Sequence, residues 1–142
     1  MAKQKKSWHE KLHAPTDLPK TIAVPAPLEV DALMKKVRRG RVVTINELRA
    51  AVARRHGATE GCPMTTGIFA WIAAHAADEE LRMGKKRVTP YWRTLKADGE
   101  LNPKYPGGVE GLKSRLEGEG HRIVRRGKGH FVEGYEKSLQ RL

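Results

Sequence analysis

The chain is short of cysteine, of long apolar runs and of acidic residues, and each shortage excludes something. Cys62 is the only cysteine in 142 residues, so no disulfide can close within the chain and a cysteine-rich zinc centre lacks its ligands. No stretch approaches the roughly 20 apolar residues of a membrane-spanning helix. The start, Met-Ala-Lys-Gln-Lys-Lys-Ser-Trp, is basic like a secretory leader but has no apolar segment behind it, and the expectation is a cytoplasmic protein. No internal repeat or low-complexity tract interrupts the chain.

What the sequence has instead is positive charge. Its 28 Lys and Arg against 16 Asp and Glu give a net charge of +12, which favours a polyanion as partner, and nucleic acid is the commonest. Residues 1–31 hold five bases and four acids, so nearly all of the surplus lies beyond Asp31. It gathers in three clusters, Lys35 to Arg41, Arg82 to Arg93 and Arg122 to Lys128. Such clusters either keep exposed faces solvated or form a binding surface; three in one small domain point to the second.

Residues 1–28 contain Pro15, Pro19, Pro25 and Pro27 without a helical period, and read as an extended arm. Residues 29–142 read as one domain. Val30, Leu33, Met34 and Val37 form the apolar stripe of a first helix over 29–39. Thr44-Ile45-Asn46-Glu47 has the form of a capping box, so a second helix starts there, with Ile45, Leu48 and Val52 inward and a stop at His56-Gly57. Pro63 suits the first position of a third helix reaching Asp78. Two helices joined by a short Gly-containing turn, with a helix before them, outline a helix-turn-helix. The segments 121–126 and 130–132 around Gly127-Lys128-Gly129 read as a basic hairpin, the wing of a winged variant, and a short helix follows at 135–139.

In the third helix, Ile68, Trp71, Ile72 and His75 or Ala76 make a candidate core stripe. Thr65, Thr66, Ala70, Ala73, Ala74 and Ala77 leave a shallow face, suited either to a DNA groove or to close packing on a neighbouring helix. His9-Glu10-Lys11-Leu12-His13 fits the zinc-protease pattern but ends two residues before Pro15, in the arm, with no third ligand indicated, so no metal site is expected. Cys62, at the start of the third helix, is either a small buried side chain or a thiol activated by the helix dipole. Lys85, Lys86, Arg87 and Arg93 suit phosphate contacts; Tyr91 and Trp92 are either platforms for an unstacked base or packing residues.

These motifs have an order that resembles a known family. Arg39-Gly40-Arg41-Val42-Val43-Thr44-Ile45-Asn46-Glu47-Leu48, Thr66-Gly67, Pro90-Tyr91-Trp92-Arg93, Asp98-Gly99-Glu100-Leu101, Tyr105-Pro106-Gly107-Gly108 and Leu116-Glu117-Gly118-Glu119-Gly120 are similar in order and spacing to the C-terminal domain of alkylguanine-DNA alkyltransferases. The similarity spans about residues 29 to 125. It implies an α+β, mostly α, winged helix-turn-helix that inserts its recognition helix into the minor groove and flips an alkylated guanine into a pocket.

The family's nucleophile is the Cys of a Pro-Cys-His-Arg motif, which aligns with Pro90-Tyr91-Trp92-Arg93. Tyr91 therefore stands at the nucleophile and Trp92 at the activating His. A phenol, with an ordinary pKa of about 10 and no paired base, is a poor alkyl acceptor. Ile45 stands where the family has a flipping Tyr, and Met64 where it has the Arg that fills the vacated stack. Tyr105, Gly107, Gly108 and Glu119 match. The closest analogy is to alkyltransferase-like proteins, which lack the cysteine and bind alkylated DNA without repairing it; they keep the neighbouring His and the flipping residues, and this chain does not.

The expectation is thus a non-enzymatic, monomeric DNA-binding protein without cofactor or metal, whose partners are double-stranded DNA and repair proteins. Met64, Thr65, Thr66, Lys85, Lys86, Arg87, Arg93, Arg125, Arg126 and Lys128 are the expected DNA contacts, and Tyr91, Trp92, Tyr105 and Glu119 the base pocket. Two alternatives stand beside it. One is an alkyltransferase whose nucleophile has moved to Cys62; the other is an interaction module that kept the fold and lost DNA, using the Tyr91-Trp92 region for a protein.

Overall fold

The computed structural model describes residues 21–142. The His9 to His13 pattern and most of the expected arm lie outside the described residues. Pro27 opens the first helix, α1 (Pro27–Lys35), two residues earlier than the apolar period indicates, because a proline without an N–H suits a first turn. Val30, Leu33 and Met34 are buried along it, and Val37 is buried in the turn beyond it. The described end of the expected arm is extended and lies along the domain. β1 (Ile22–Ala23) pairs in parallel with β3 (Glu60–Gly61), and the Cys62 N–H donates to the Ala23 carbonyl at 2.8 Å.

The capping box forms as expected. The Glu47 carboxylate accepts from the Thr44 N–H at 2.7 Å while the Thr44 hydroxyl accepts from the Asn46 N–H at 3.1 Å, starting α2 (Ile45–His56). Gly57 ends it in the left-handed region at φ 61°, where a side chain would be strained. At Gly61 the turn lies directly on α2: an added Cβ would overlap the Arg49 backbone, and the Arg49 Nε donates to the Gly61 carbonyl at 3.0 Å. The next helix, α3 (Pro63–Arg82), begins at the expected proline and runs one turn past Asp78.

Beyond α3 the chain folds back as a 3₁₀ turn at Tyr91–Arg93 and a strand, β4 (Thr94–Leu95), which pairs in parallel with β2 (Val43–Thr44). α4 (Gly108–Gly118) follows, then the expected hairpin of β5 (Ile123–Arg126) and β6 (Gly129–Val132). The short helix foreseen at 135–139 is a 3₁₀ turn, Tyr135–Ser138. The tail then returns to the α1–α2 connection. Val42 donates to Ser138 and Gln140 donates to Val42, while the Gln140 side chain accepts from the Arg38 N–H at 2.8 Å and donates to the Lys36 carbonyl at 2.6 Å.

The core gathers Leu33 and Met34 of α1, Leu48 and Val52 of α2, Leu101, Leu116 of α4 and Val132 of β6. One expectation is reversed. Ile68, Trp71 and Ile72 do not form the core stripe of α3; they are 47%, 43% and 44% exposed, and Met64 is 71% exposed. The buried side is Thr66, Ala70, Ala73, Ala74 and Ala77, packed chiefly on α1. Small side chains let two helix backbones approach closely, and the large apolar residues of α3 are left facing outward.

Candidate nucleic-acid interface

The outward face of α3 borders a groove of about 750 Å³, walled by Met64, Gly67, Ile68, Trp71 and His75 on one side and by Asn102 and Lys104 on the other. The loop fixes the aromatic wall. The Trp71 indole N–H donates to the Lys104 carbonyl at 3.1 Å, and the His75 Nε2 lies 3.2 Å from the same oxygen. The two rings meet edge to face with centroids 4.9 Å apart. Gly67 leaves the helix bare at this point: nothing would lie within 4 Å of an added Cβ. The result is an apolar slot with an aromatic wall held in place by backbone, on the exposed face of the second helix of a helix-turn-helix.

Sequence reasoning placed the pocket elsewhere, at the Pro90-Tyr91-Trp92-Arg93 motif. That motif is occupied by its own contacts. Tyr91 and Tyr105 are buried and meet edge to face at 6.4 Å, so neither lines an open cavity. Burial pushes the Tyr91 phenol up, against the pull of the Arg115 guanidinium, and pushes that of Tyr105 far up. Both hydroxyls stay protonated near neutrality.

Glu119 anchors the rest. It accepts from the Trp92 indole N–H at 2.9 Å and from the Arg93 Nε and NH2 at 2.9 and 2.8 Å, while the Arg93 NH1 donates to the Val37 carbonyl at 2.7 Å. The side chains of Arg93 and Glu119 are only 14% and 9% exposed. Arg93 is therefore removed from the expected phosphate contacts, because its donors are spent within the fold. Burial opposes the charge on Glu119, but the hydrogen bonds from Arg93 and Trp92 and the guanidinium charge outweigh it and hold the carboxyl below the usual range. His121, next to this pair, is pushed down by burial and by Arg93, against the pull of Glu119.

The other expected DNA contacts divide between separate places. Met64 is exposed at the leading end of α3 and Thr65 is partly exposed, but Thr66 is buried in the helix–helix contact and drops out of the set. Arg125, Arg126 and Lys128 are exposed on the hairpin, with Arg126 stacked on Phe131 at 5.3 Å. Lys85, Lys86 and Arg87 follow the far end of α3, and Lys85 lies 3.9 Å from Glu80. Cys62 precedes α3, where hydrogen bonds from Thr65 and Met64 and the Arg49 charge lower its thiol pKa against a small opposing effect of burial. Among the described residues, no group of His, Cys, Asp and Glu could hold a metal ion, and no helix is long and apolar enough to cross a membrane.

The residues missed at the groove were Ile68, Trp71, His75, Asn102 and Lys104. A signal for them was present: a stripe of alanines opposite a stripe of large apolar residues, with Gly67 on the groove side.

The architecture is that of a winged helix-turn-helix, α+β and mostly helical, with α3 in the recognition position and β5–β6 as the wing. Solved structures with this fold include S. pombe Atl1 in complex with damaged DNA containing O6-carboxymethylguanine, at a TM-score of 0.55 and 18% identity over 82% of this chain and 94% of that one. A second is S. pombe ATL in complex with DNA, at a TM-score of 0.54 and 20% identity over the same shares. The fold expected from the resemblance is thus the fold observed. No protein-family model and no curated protein matches the sequence.

Proposed function

We propose that this chain binds duplex DNA without chemically altering it, laying the exposed face of α3 in the minor groove and receiving an unstacked or flipped base in the slot beside Trp71. The observation that carries this reading is the outward apolar face of α3 bordering a groove with a fixed aromatic wall. A soluble helix seldom turns several large apolar residues to solvent unless something covers them. In the same fold, the S. pombe structures are complexes with DNA, one of them damaged. Arg125, Arg126 and Lys128 on the wing supply phosphate contacts, and Trp71 supplies the stacking surface. The base site is accordingly the α3 groove, not the Tyr91-Trp92 motif.

The absence of chemistry follows from the motif itself. Tyr91 has the position of a nucleophile but is buried with its phenol pushed up, and Trp92 donates its only N–H to Glu119. Cys62 supports a second reading, since its thiol is partly exposed and its pKa is lowered. Incubation with methylguanine-containing duplex followed by mass spectrometry separates the two: non-enzymatic binding predicts an unmodified chain, and a methyl group on Cys62 overturns it.

The main test is titration of unmodified duplex, alkylguanine duplex and single strand at two salt concentrations. Duplex binding should weaken with salt, with log K falling by about 0.9 per phosphate neutralised for each unit of log salt. Preference for the alkylguanine duplex supports lesion recognition, and equal affinity confines the function to general duplex binding. Weak binding that ignores salt overturns the DNA reading in favour of a protein partner on the α3 face.

A further inference from the structure

A second cationic surface lies away from the α3 groove, and the proposed function does not use it. Two clefts of about 320 and 470 Å³ flank Trp92 and share Trp92, Arg93 and Arg115 as walls, so they form one continuous surface. Lys35, Lys86 and Arg87 line the first; Arg39 and Ser114 line the second. The Arg115 guanidinium lies over the Trp92 ring at 4.4 Å, between the two. Among the described residues, Arg39, Lys86, Arg87 and Arg115 have no acidic partner within ion-pair distance. Glu119, the one acid among the lining residues, is already engaged by Arg93 at 2.8 Å.

Its position sets it apart from the groove. The two share no lining residue, and on α3 the last groove residue, His75, and Leu81 of the first cleft are separated by about 9 Å of helix rise. The surface is assembled from the end of α1 and the segment after it, the last turn of α3 with the loop that follows, and α4, whereas the groove uses α3 from Met64 to His75 and the 102–104 loop. Unpaired guanidinium and ammonium groups gathered on one surface fit the phosphate backbone of a nucleic-acid strand.

We infer that the basic surface around Trp92 is a second nucleic-acid site, which takes the backbone of another DNA segment so that one chain can hold two segments together. This rests on the proposal that the α3 groove binds the first. An acidic protein segment is the competing occupant, but the surface offers little apolar area besides Trp92 for such a partner to bury.

The test is a bridging assay with the full chain: a biotinylated duplex on beads, a labelled second duplex in solution, and the affinity for a single duplex measured in parallel. The unaltered protein should retain the labelled duplex while sedimenting as a monomer when free. The exposed double variant Arg39→Glu, Arg115→Glu should lower retention by at least about tenfold more than it lowers single-duplex affinity, a difference of about 1.4 kcal/mol. The neutral variant Arg39→Gln, Arg115→Gln should retain less than the unaltered chain and lower the salt slope of retention by about 0.9 for each phosphate contact removed. It also guards against misfolding of the reversed variant, and both should keep the circular dichroism of the unaltered chain. Single-duplex binding without bridging overturns this inference and leaves the α3 reading standing. No duplex binding at all overturns both. Bridging that survives both variants, or that tracks protein self-association, also overturns it, and so does capture of an acidic peptide in preference to DNA.

Discussion

α2 and α3 are neighbours in one helix-turn-helix, yet they use their large side chains in opposite ways. α2 buries Leu48 and Val52 and exposes Asn46, Arg54 and Arg55, the ordinary division of an amphipathic helix. α3 buries alanines and threonine and exposes Met64, Ile68, Trp71 and Ile72. One helix spends its apolar bulk on stability and the other presents it to a partner. The contrast teaches that the side of a helix facing the core is settled by how close its neighbour must come, not by where its bulk lies.

The comparison can be broken at its two cores first. Leu48→Ala should cost about 3 kcal/mol in denaturant unfolding, because a fully buried leucine leaves a cavity. Ala74→Leu, which adds bulk where α3 meets its neighbours, should destabilise by about 2 kcal/mol, although the same change on the outer face would be tolerated. A neutral result at Ala74 would mean that the α3 contact is looser than its complete burial indicates. Trp71→Ala sharpens the contrast from the other side: DNA affinity should drop by about 2 kcal/mol, the scale of one lost base stack, and more than unfolding stability does. If stability falls further than binding, Trp71 is a packing residue. Thr44→Ala should cost about 1 kcal/mol through the lost cap of α2.

A pH series probes the clasp at Glu119, which ties the end of α4 to the 3₁₀ turn and, through Arg93, to the segment after α1. The lowered pKa of Glu119 means that its contribution to stability is present above the unfolded carboxylate value of about 4.3 and is lost as pH falls through the lower folded value. His121 acts in the same direction at higher pH. Its folded pKa is lowered, so the unfolded chain takes up its proton first and stability declines below about pH 6.5. Glu119→Gln should remove the acid-side component and flatten the lower part of that profile, and an unchanged profile would refute this assignment.

Much of the fold was legible in the sequence where a local rule sets the outcome. Thr44 and Glu47, Gly57, Pro63 and the Gly127 turn each mark a boundary through their own backbone chemistry, and the structure has each boundary in place. The inward side of α3 was not legible, because a stripe of alanines and a stripe of large apolar residues are both compatible with burial until the distance to α1 is known. The site was less legible for the same kind of reason. Arg93 and Glu119 lie 26 residues apart, and nothing local reveals that they neutralise each other. Tyr91 and Tyr105, two of the residues read as a base pocket, are buried, while the groove beside Trp71 required the 102–104 loop to come against α3.

The tail has a consequence for the order of events in the cell. Val42, between the first two helices, finds its hydrogen-bonding neighbours only in Ser138 and Gln140. During synthesis from the N-terminus, that corner stays open until residues 138–140 have left the ribosome. The helix-turn-helix can collapse early on its local contacts, but its final fastening is a late, long-range closure, which is slow by nature. A chain interrupted before Ser138 would therefore carry the binding helix without the latch that fixes the corner beside it.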